Sequence, residues 1–208
     1  THVKSMRAMA FMFPGQGAQY AGMGAELYAR EPVFRAAAEE VFEALEAFGG
    51  PDLRPFLTGL DVRGDALDQT NLTQPALFTV EYALGRLLFS WGLRPNYLIG
   101  HSVGEYAVAA LADTFSVQDA ARLVAVRGRL MQEMAPGRMI SVLAPAVELE
   151  GLLHPEVDIA SINGPRQTVV AGSTAAVDAM EKVLTGAEIA FVRLRTSHAV
   201  HSRAMKPM

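Results

Sequence analysis

The feature that most constrains this 208-residue sequence is a pentapeptide, Gly100-His101-Ser102-Val103-Gly104. It follows a short apolar run, Tyr97-Leu98-Ile99, and directly precedes a helix-forming stretch. A strand, a tight turn carrying serine and a helix in immediate succession make a nucleophile elbow. Such a turn lifts the Ser102 hydroxyl out of a sheet, and only glycines tolerate the crowding on either side. The helix then points its free N–H groups and its dipole at the serine, with the Val103 N–H placed to hold an oxyanion. The bland alternative is a chance Gly-x-Ser-x-Gly in a glycine-containing turn, and the strand–turn–helix context weighs against it.

The rest of the chain supplies that context. Ala8 to Phe13 is continuously apolar and stops at Pro14-Gly15-Gln16-Gly17, which predicts a strand buried on both faces. Pro32 opens a helix with Val33, Ala37, Val41 and Leu45 at helical spacing, closed by Gly49-Gly50. Residues 49 to 72, rich in Pro, Gly and Asp, read as a surface connection with short turns. A second helix is expected after Pro75, with Leu77, Val80, Leu84, Leu87, Leu88 and Trp91 on one side and Gly92 as its stop. Further helices are expected from Val103 to about Asp113 and, with Ser116 and Asp119 as a capping pair, to about Met134. Strands alternating with helices indicate an α/β layer fold. After Pro136-Gly137 the rhythm changes to strand 139–144, helix 146–153, strands 159–162 and 167–171, helix 174–184 and strand 189–194. This β-α-β-β-α-β order is the ferredoxin-like split pattern, so a small inserted subdomain is placed at about 132 to 196.

Composition removes several classes of function. With 18 basic and 22 acidic residues the formal net charge is -4, and no basic stripe suits nucleic acid. The absence of cysteine excludes disulfides, thiolate metal sites and a cysteine nucleophile, and it fits a cytoplasmic setting. No apolar run reaches the ~18 residues of a membrane span. Thr1 to Arg7 lacks an apolar signal core and reads as a linker, so the chain is expected to be a piece of a larger protein.

A serine hydroxyl is a poor nucleophile at neutral pH and needs a base. Of the five histidines, His2 falls in the linker, His154 in a Leu-Leu-His-Pro turn, and His101 in the elbow with its side chain turned away from Ser102. His198 and His201, in Thr196-Ser197-His198-Ala199-Val200-His201-Ser202, remain, and spacing alone does not choose between them. Arg127 falls inside the apolar stripe of Ala120, Val124, Met131 and Met134, whereas Arg122 and Arg129 lie on the other side. A guanidinium on a buried face is costly unless an anion meets it. It either forms an internal salt bridge or offers a bidentate fork to a substrate carboxylate.

With these residues in view, the sequence resembles the acyltransferase family of fatty acid and polyketide synthesis, the malonyl-CoA:carrier-protein transacylases. The motifs that carry the match are Phe13-Pro14-Gly15-Gln16-Gly17 with Gln19 and Met23-Gly24, and Thr73-Gln74-Pro75-Ala76-Leu77. They continue with Gly100 to Tyr106 through Arg127-Gly128-Arg129-Leu130-Met131-Gln132, and end with Ser197 to Ser202. They run in the family's order from Phe11 onward, and Gly17-Ala18-Gln19-Tyr20 and Glu81-Tyr82-Ala83-Leu84 resemble a polyketide synthase domain more than a stand-alone enzyme.

The resemblance implies an α/β-hydrolase-like large subdomain, residues 1–131 and 197–208, with the ferredoxin-like small subdomain at 132–196. It implies Ser102 as nucleophile and His201, the second histidine of its motif, as base. Gln16 and the Val103 N–H would shape the oxyanion hole, and Arg127 would grip the free carboxylate of the acyl group. Gln74, His101, Asn163, His198 and Val200 are further pocket candidates. The implied substrate is malonyl-CoA and the implied acceptor the phosphopantetheine thiol of an acyl carrier protein, beside neighbouring synthase domains. No bound cofactor, metal, nucleic acid or membrane is expected. Two departures stand out. Malonyl-selective members commonly show His-Ala-Phe-His where this chain has His198-Ala199-Val200-His201. Family members also continue past the position of Met208, and the main-chain carbonyl that steadies their histidine is expected in that part. A serine hydrolase using the same Ser–His pair and a non-catalytic docking domain are the alternatives.

Overall fold

The computed structural model describes residues 8–58 and 64–208. The linker reading of residues 1–7, with His2, and positions 59–63 of the expected surface connection lie outside the described residues. The fold is α/β. Among the described residues the chain divides into two compact units, one bounded by Thr1–Leu67 and Leu72–Gly128, the other by Asp68–Asn71 and Arg129–Met208.

The first unit holds strands β1 (Ala10–Phe13) and β2 (Tyr97–Gly100), helices α1 (Ala25–Arg30), α2 (Pro32–Ala47), α3 (Arg54–Leu57) and α5 (Gly104–Leu111), α4 (Thr70–Ser90) from Leu72 on, and α6 (Val117–Gln132) as far as Gly128, the last turn of α6 belonging to the second unit. β1 and β2 pair in parallel from Ala10↔Tyr97 to Phe13↔Gly100. The His101 N–H then donates to the Phe13 carbonyl at 2.9 Å, carrying the ladder to the doorstep of Ser102. Strand periodicity turns Phe11 and Phe13 to one face, where Phe11 stacks on Phe89 of α4 with ring centroids 6.0 Å apart. Met12 and Ile99 alternate to the other face, and Met12 is 75% exposed. The expectation of a strand buried on both faces is thus met on one face only, because the described helices pack against one side.

α2 begins at Pro32 as the sequence indicates, but its buried stripe is Phe34, Ala37, Ala38, Val41, Phe42 and Leu45, with Val33 exposed. α4 starts at Thr70 rather than after Pro75 and carries that proline inside it. Proline removes only the bond its N–H would have made to residue 71, at a cost of about 3 kcal/mol. Burial of Ala76, Leu77, Phe78, Tyr82, Ala83 and Leu87 outweighs it. Because α4 is buried nearly all round, a one-sided stripe was the wrong template, and Leu84 and Trp91 are exposed. Ser116 and Asp119 cap α6 as expected, with the Asp119 N–H donating to Ser116 Oγ at 3.1 Å.

The second unit contains β3 (Gly137–Val142), α7 (Ala146–Leu149), β4 (Val157–Gly164), β5 (Gln167–Ser173), α8 (Thr174–Gly186) and β6 (Phe191–Arg193). All neighbours are antiparallel, in the order β4-β5-β3-β6. Every expected element of 132–196 is present with shifted ends, since ladder residues such as Gly137 and Arg138 carry no hydrophobic signal. Ile140, Val142 and Val170 face α8, packing on Val177, Met180 and Leu184. Met139, Val169 and Ala171, one residue out of phase, face Met131, Ala199 and Val200. Burial of Ala199 and Val200 against that face groups residues 197–208 with this unit, whereas the sequence reading allots them to the larger subdomain. Among the described residues no helix is long and apolar enough to cross a membrane.

One buried group departs from the pattern of satisfied polar atoms. Glu81 in α4 is 6% exposed, and neither carboxylate oxygen has a hydrogen-bond partner. Burial pushes its pKa from 4.5 up to about 8. The folded state therefore holds a proton that the unfolded chain releases near pH 4.5, so stability is full below that pH and falls until about pH 8. The contribution is on the order of 4–5 kcal/mol. Denaturant unfolding from pH 5 to 8.5 is expected to show this decline in the wild type and a flat response in Glu81→Gln. Equal slopes would show that Glu81 titrates normally.

Candidate active site

The elbow is built by backbone contacts that leave no room for side chains. A Cβ on Gly104 would lie 2.4 Å from the Phe13 carbonyl oxygen and 2.8 Å from that of Pro14. One on Gly100 would lie 2.4 Å from the Glu105 nitrogen. Caught between them, Ser102 adopts φ 55°, a left-handed conformation that costs a non-glycine residue about 1–3 kcal/mol. Val103 and Ala107, both fully buried, hold the following helix down. Val103 has helical geometry at the start of α5, which puts the positive end of that helix at Ser102. The turn carrying Gln16 runs beside it, since a Cβ on Gly15 would sit 3.4 Å from Ser102 Cβ. His101 is exposed.

Arg127 comes from α6 to the same place. Its guanidinium donates to Gln74 Oε1 and, at 3.4 Å, to Ser102 Oγ. Gln74, on α4, is fully buried. The guanidinium also lies 6.0 Å from the centre of the Tyr106 ring. Burial pulls the Arg127 pKa down, and Tyr106 and Glu105 pull it up. Among the described residues no carboxylate forms an ion pair with Arg127, so the internal salt bridge is not the arrangement found. A partly desolvated cation held by neutral groups beside a strained serine favours an anion there. In the sequence Tyr106 stands out only as a motif residue. Its position four residues after Ser102, on the same side of a helix start, was the available signal.

The remaining candidates belong to the second unit. His198 is 2% exposed with both ring nitrogens engaged, Nδ1 with Ser197 Oγ at 2.7 Å and Nε2 with the Met134 carbonyl at 3.1 Å. A carbonyl only accepts, so Nε2 carries the proton, while the Ser197 hydroxyl serves Nδ1, and a histidine engaged at both nitrogens has a structural part. Val200 is buried in the apolar cluster on the sheet. Asn163 is exposed near the end of β4. His201 is exposed, has φ 60°, and lines a recess of about 450 Å³ with Asp158, Ile159, Ser202, Arg203 and Lys206. The structure thus gathers Ser102, Val103, Gln16, Gln74 and Arg127 in one unit, and carries His198, Val200, His201 and Asn163 in the other. Among the described residues no cluster of His, Asp or Glu could hold a metal ion.

A family model described as acyl transferase domain matches residues 10–208. Mycoketide-CoA synthase of Mycobacterium tuberculosis is 46% identical over 199 residues, which cover 95% of this chain and 5% of that protein. The acyltransferase domain from the second module of the salinomycin polyketide synthase is 48% identical with a TM-score of 0.87. That match covers 96% of this chain and 47% of that one. MCAT from Streptococcus pneumoniae is 34% identical with a TM-score of 0.81, covering 95% of this chain and 66% of that one. The chain therefore spans about half of the solved salinomycin domain and a small part of the synthase.

The elbow contacts generate a stability test. Gly104→Ala places a methyl against two carbonyl oxygens, and overpacking of this kind costs about 1–3 kcal/mol. Denaturant unfolding should register that loss, and retention of wild-type stability would mean that the approach of α5 to β1 is looser than described.

Proposed function

We propose, from the premise that the chain belongs to the acyl transferase domain family, that it moves a malonyl-type acyl unit from coenzyme A to the thiol of an acyl carrier protein. The observation that carries this reading is Arg127, a guanidinium with neutral partners 3.4 Å from the Ser102 hydroxyl. A thioester bound at Ser102 with a free carboxylate on its acyl group would supply the missing anion. The same cation disfavours neutral esters, which argues against a general serine hydrolase, and an elbow with its strain intact argues against a docking domain.

The chemistry runs in two halves. Ser102 loses its proton to His201 and attacks the thioester carbon, while the Val103 N–H and Gln16 stabilise the oxyanion. Coenzyme A leaves as the thiol, taking the proton from His201. The phosphopantetheine thiol then gives its proton to His201 and attacks the acyl-serine, and Ser102 is reprotonated as the acyl thioester departs. Arg127 fixes the carboxylate through both halves and so selects malonyl over acetyl units. Gln74 steers Arg127. No bound cofactor enters these steps; coenzyme A and phosphopantetheine arrive with substrate and partner.

For the fold we propose an α/β-hydrolase-like subdomain of residues 1–131 with a ferredoxin-like one at 132–196; residues 197–208, allotted to the first by the sequence, pack against the sheet of the second. The parallel β1–β2 pair running into the elbow supports the first, and the β4-β5-β3-β6 order supports the second. Neighbouring domains of a polyketide synthase are the proposed setting, in keeping with the synthase relatives.

Malonyl-CoA should add one malonyl mass to the full-length protein at this domain, and Ser102→Ala should abolish it; label that survives or maps elsewhere removes Ser102 from the role. Arg127→Ala should lose malonyl transfer by about 2–5 kcal/mol in transition-state binding while retaining acetyl transfer. An equal fall for both acyl groups would assign Arg127 to the scaffold.

A further inference from the structure

His201 occupies left-handed backbone, φ 60°, without the freedom of glycine. Such a conformation persists where flanking contacts over-determine it. On the upstream side His198 is tied through both ring nitrogens, and Ala199 and Val200 are buried against the sheet. Downstream, Ser202 Oγ donates to the Ala199 carbonyl at 2.6 Å and accepts from the Ala204 N–H at 3.2 Å. Beyond that, the hold converges on one carboxylate. Asp158, on β4, accepts from the Arg203 backbone N–H at 2.7 Å, from Nε at 2.9 and 3.0 Å, and from Nη2 at 2.6 Å. β4 is fixed in the sheet there by the pairing of Asp158 with Ala171.

The geometry points to Asp158 as a positioning residue that, acting through Arg203, holds the turn carrying His201 against the second unit's sheet. Few exposed pairs are made this way. Most ion pairs join flexible side-chain tips and contribute little. Here a guanidinium fork and a main-chain N–H from the same residue meet one carboxylate, so the bond restrains backbone as well as side chain. The hydrogen bonds from Arg203 also hold the Asp158 carboxyl below the usual carboxylate range, so it stays ionised at neutral pH. The catalytic consequence rests on the reading of His201 as base: a base displaced by about 1 Å loses on the order of a hundredfold in rate.

The test uses the full-length protein with malonyl-CoA and its carrier protein. Asp158→Asn should lower kcat for acyl transfer about tenfold or more, with KM for malonyl-CoA within about twofold. Arg203→Lys, which keeps the charge and loses the fork, should fall between it and wild type. Asp158→Asn combined with Arg203→Ala should lose no more than the worse single variant, as expected for one shared interaction. Tryptic cleavage after Arg203, followed by mass spectrometry, reads the turn independently of activity and should accelerate in Asp158→Asn. Wild-type kcat and wild-type cleavage in Asp158→Asn, with His201→Ala inactive, would overturn the positioning role. If His201→Ala transfers normally, the base assignment falls instead, and the cleavage rate alone decides whether Asp158 holds the turn.

Discussion

Everything around Ser102 depends on how closely the start of α5 approaches the end of β1. Gly104 lies where any side chain would strike the carbonyls of Phe13 and Pro14, and Gly100 where one would strike the helix backbone. Parallel pairing of β1 with β2 brings both strand ends to the same level, and the His101–Phe13 hydrogen bond locks the last rung. The chain has then to turn from strand to helix within Ser102 itself. Left-handed backbone at that residue is the geometric result, and burial of Val103 and Ala107 offsets its strain. Local strain, core packing and a half-buried hydroxyl at a helix N-terminus are one arrangement seen at three levels.

Three desolvated polar groups, two buried and one half-buried, show how differently the same problem can be met. His198 satisfies both ring nitrogens and joins the segment after β6 to the Met134 carbonyl. Glu81 has no partner and gives up its charge. Arg127 does neither. Its pKa falls with burial, yet a guanidinium does not deprotonate in the physiological range, so the charge persists among Gln74, Ser102 and the Tyr106 ring. Arg127 is left as a charge with neutral hydrogen-bond partners, and it is the one beside the nucleophile. That coincidence ties the stability of the first unit to the chemistry proposed for it.

The second unit reaches its end by different means. Its sheet presents two out-of-phase rows of apolar residues, so one face serves α8 and the other serves the segment from Ala199 to Met205. That segment is held as a docked ribbon with little regular structure of its own. Its conformation at His201 follows from burial before the histidine and from the Asp158–Arg203 bond after it.

The sequence by itself determined the elbow, because its requirement is local: a strand, two glycines around a serine and a helix leave few other shapes. It determined the order of the β-α-β-β-α-β unit, since alternation of period two and helical spacing are both short-range patterns. It also singled out Arg127, by setting a charge in an apolar stripe. Tertiary structure alone decided the rest. α4 begins before Pro75 because the burial of its whole circumference outweighs one lost hydrogen bond, and that burial comes from residues far away in the chain. Arg127 turns to Gln74 and Ser102 instead of a carboxylate because three elements meet there. His198 and His201, equal by spacing, are separated by their surroundings, one buried and bonded at both nitrogens, the other exposed on strained backbone. Asp158 and Arg203 stand 45 residues apart, and only a folded sheet could make them neighbours, since hydrogen bonding acts over ångströms while sequence pattern reaches no further than a few residues.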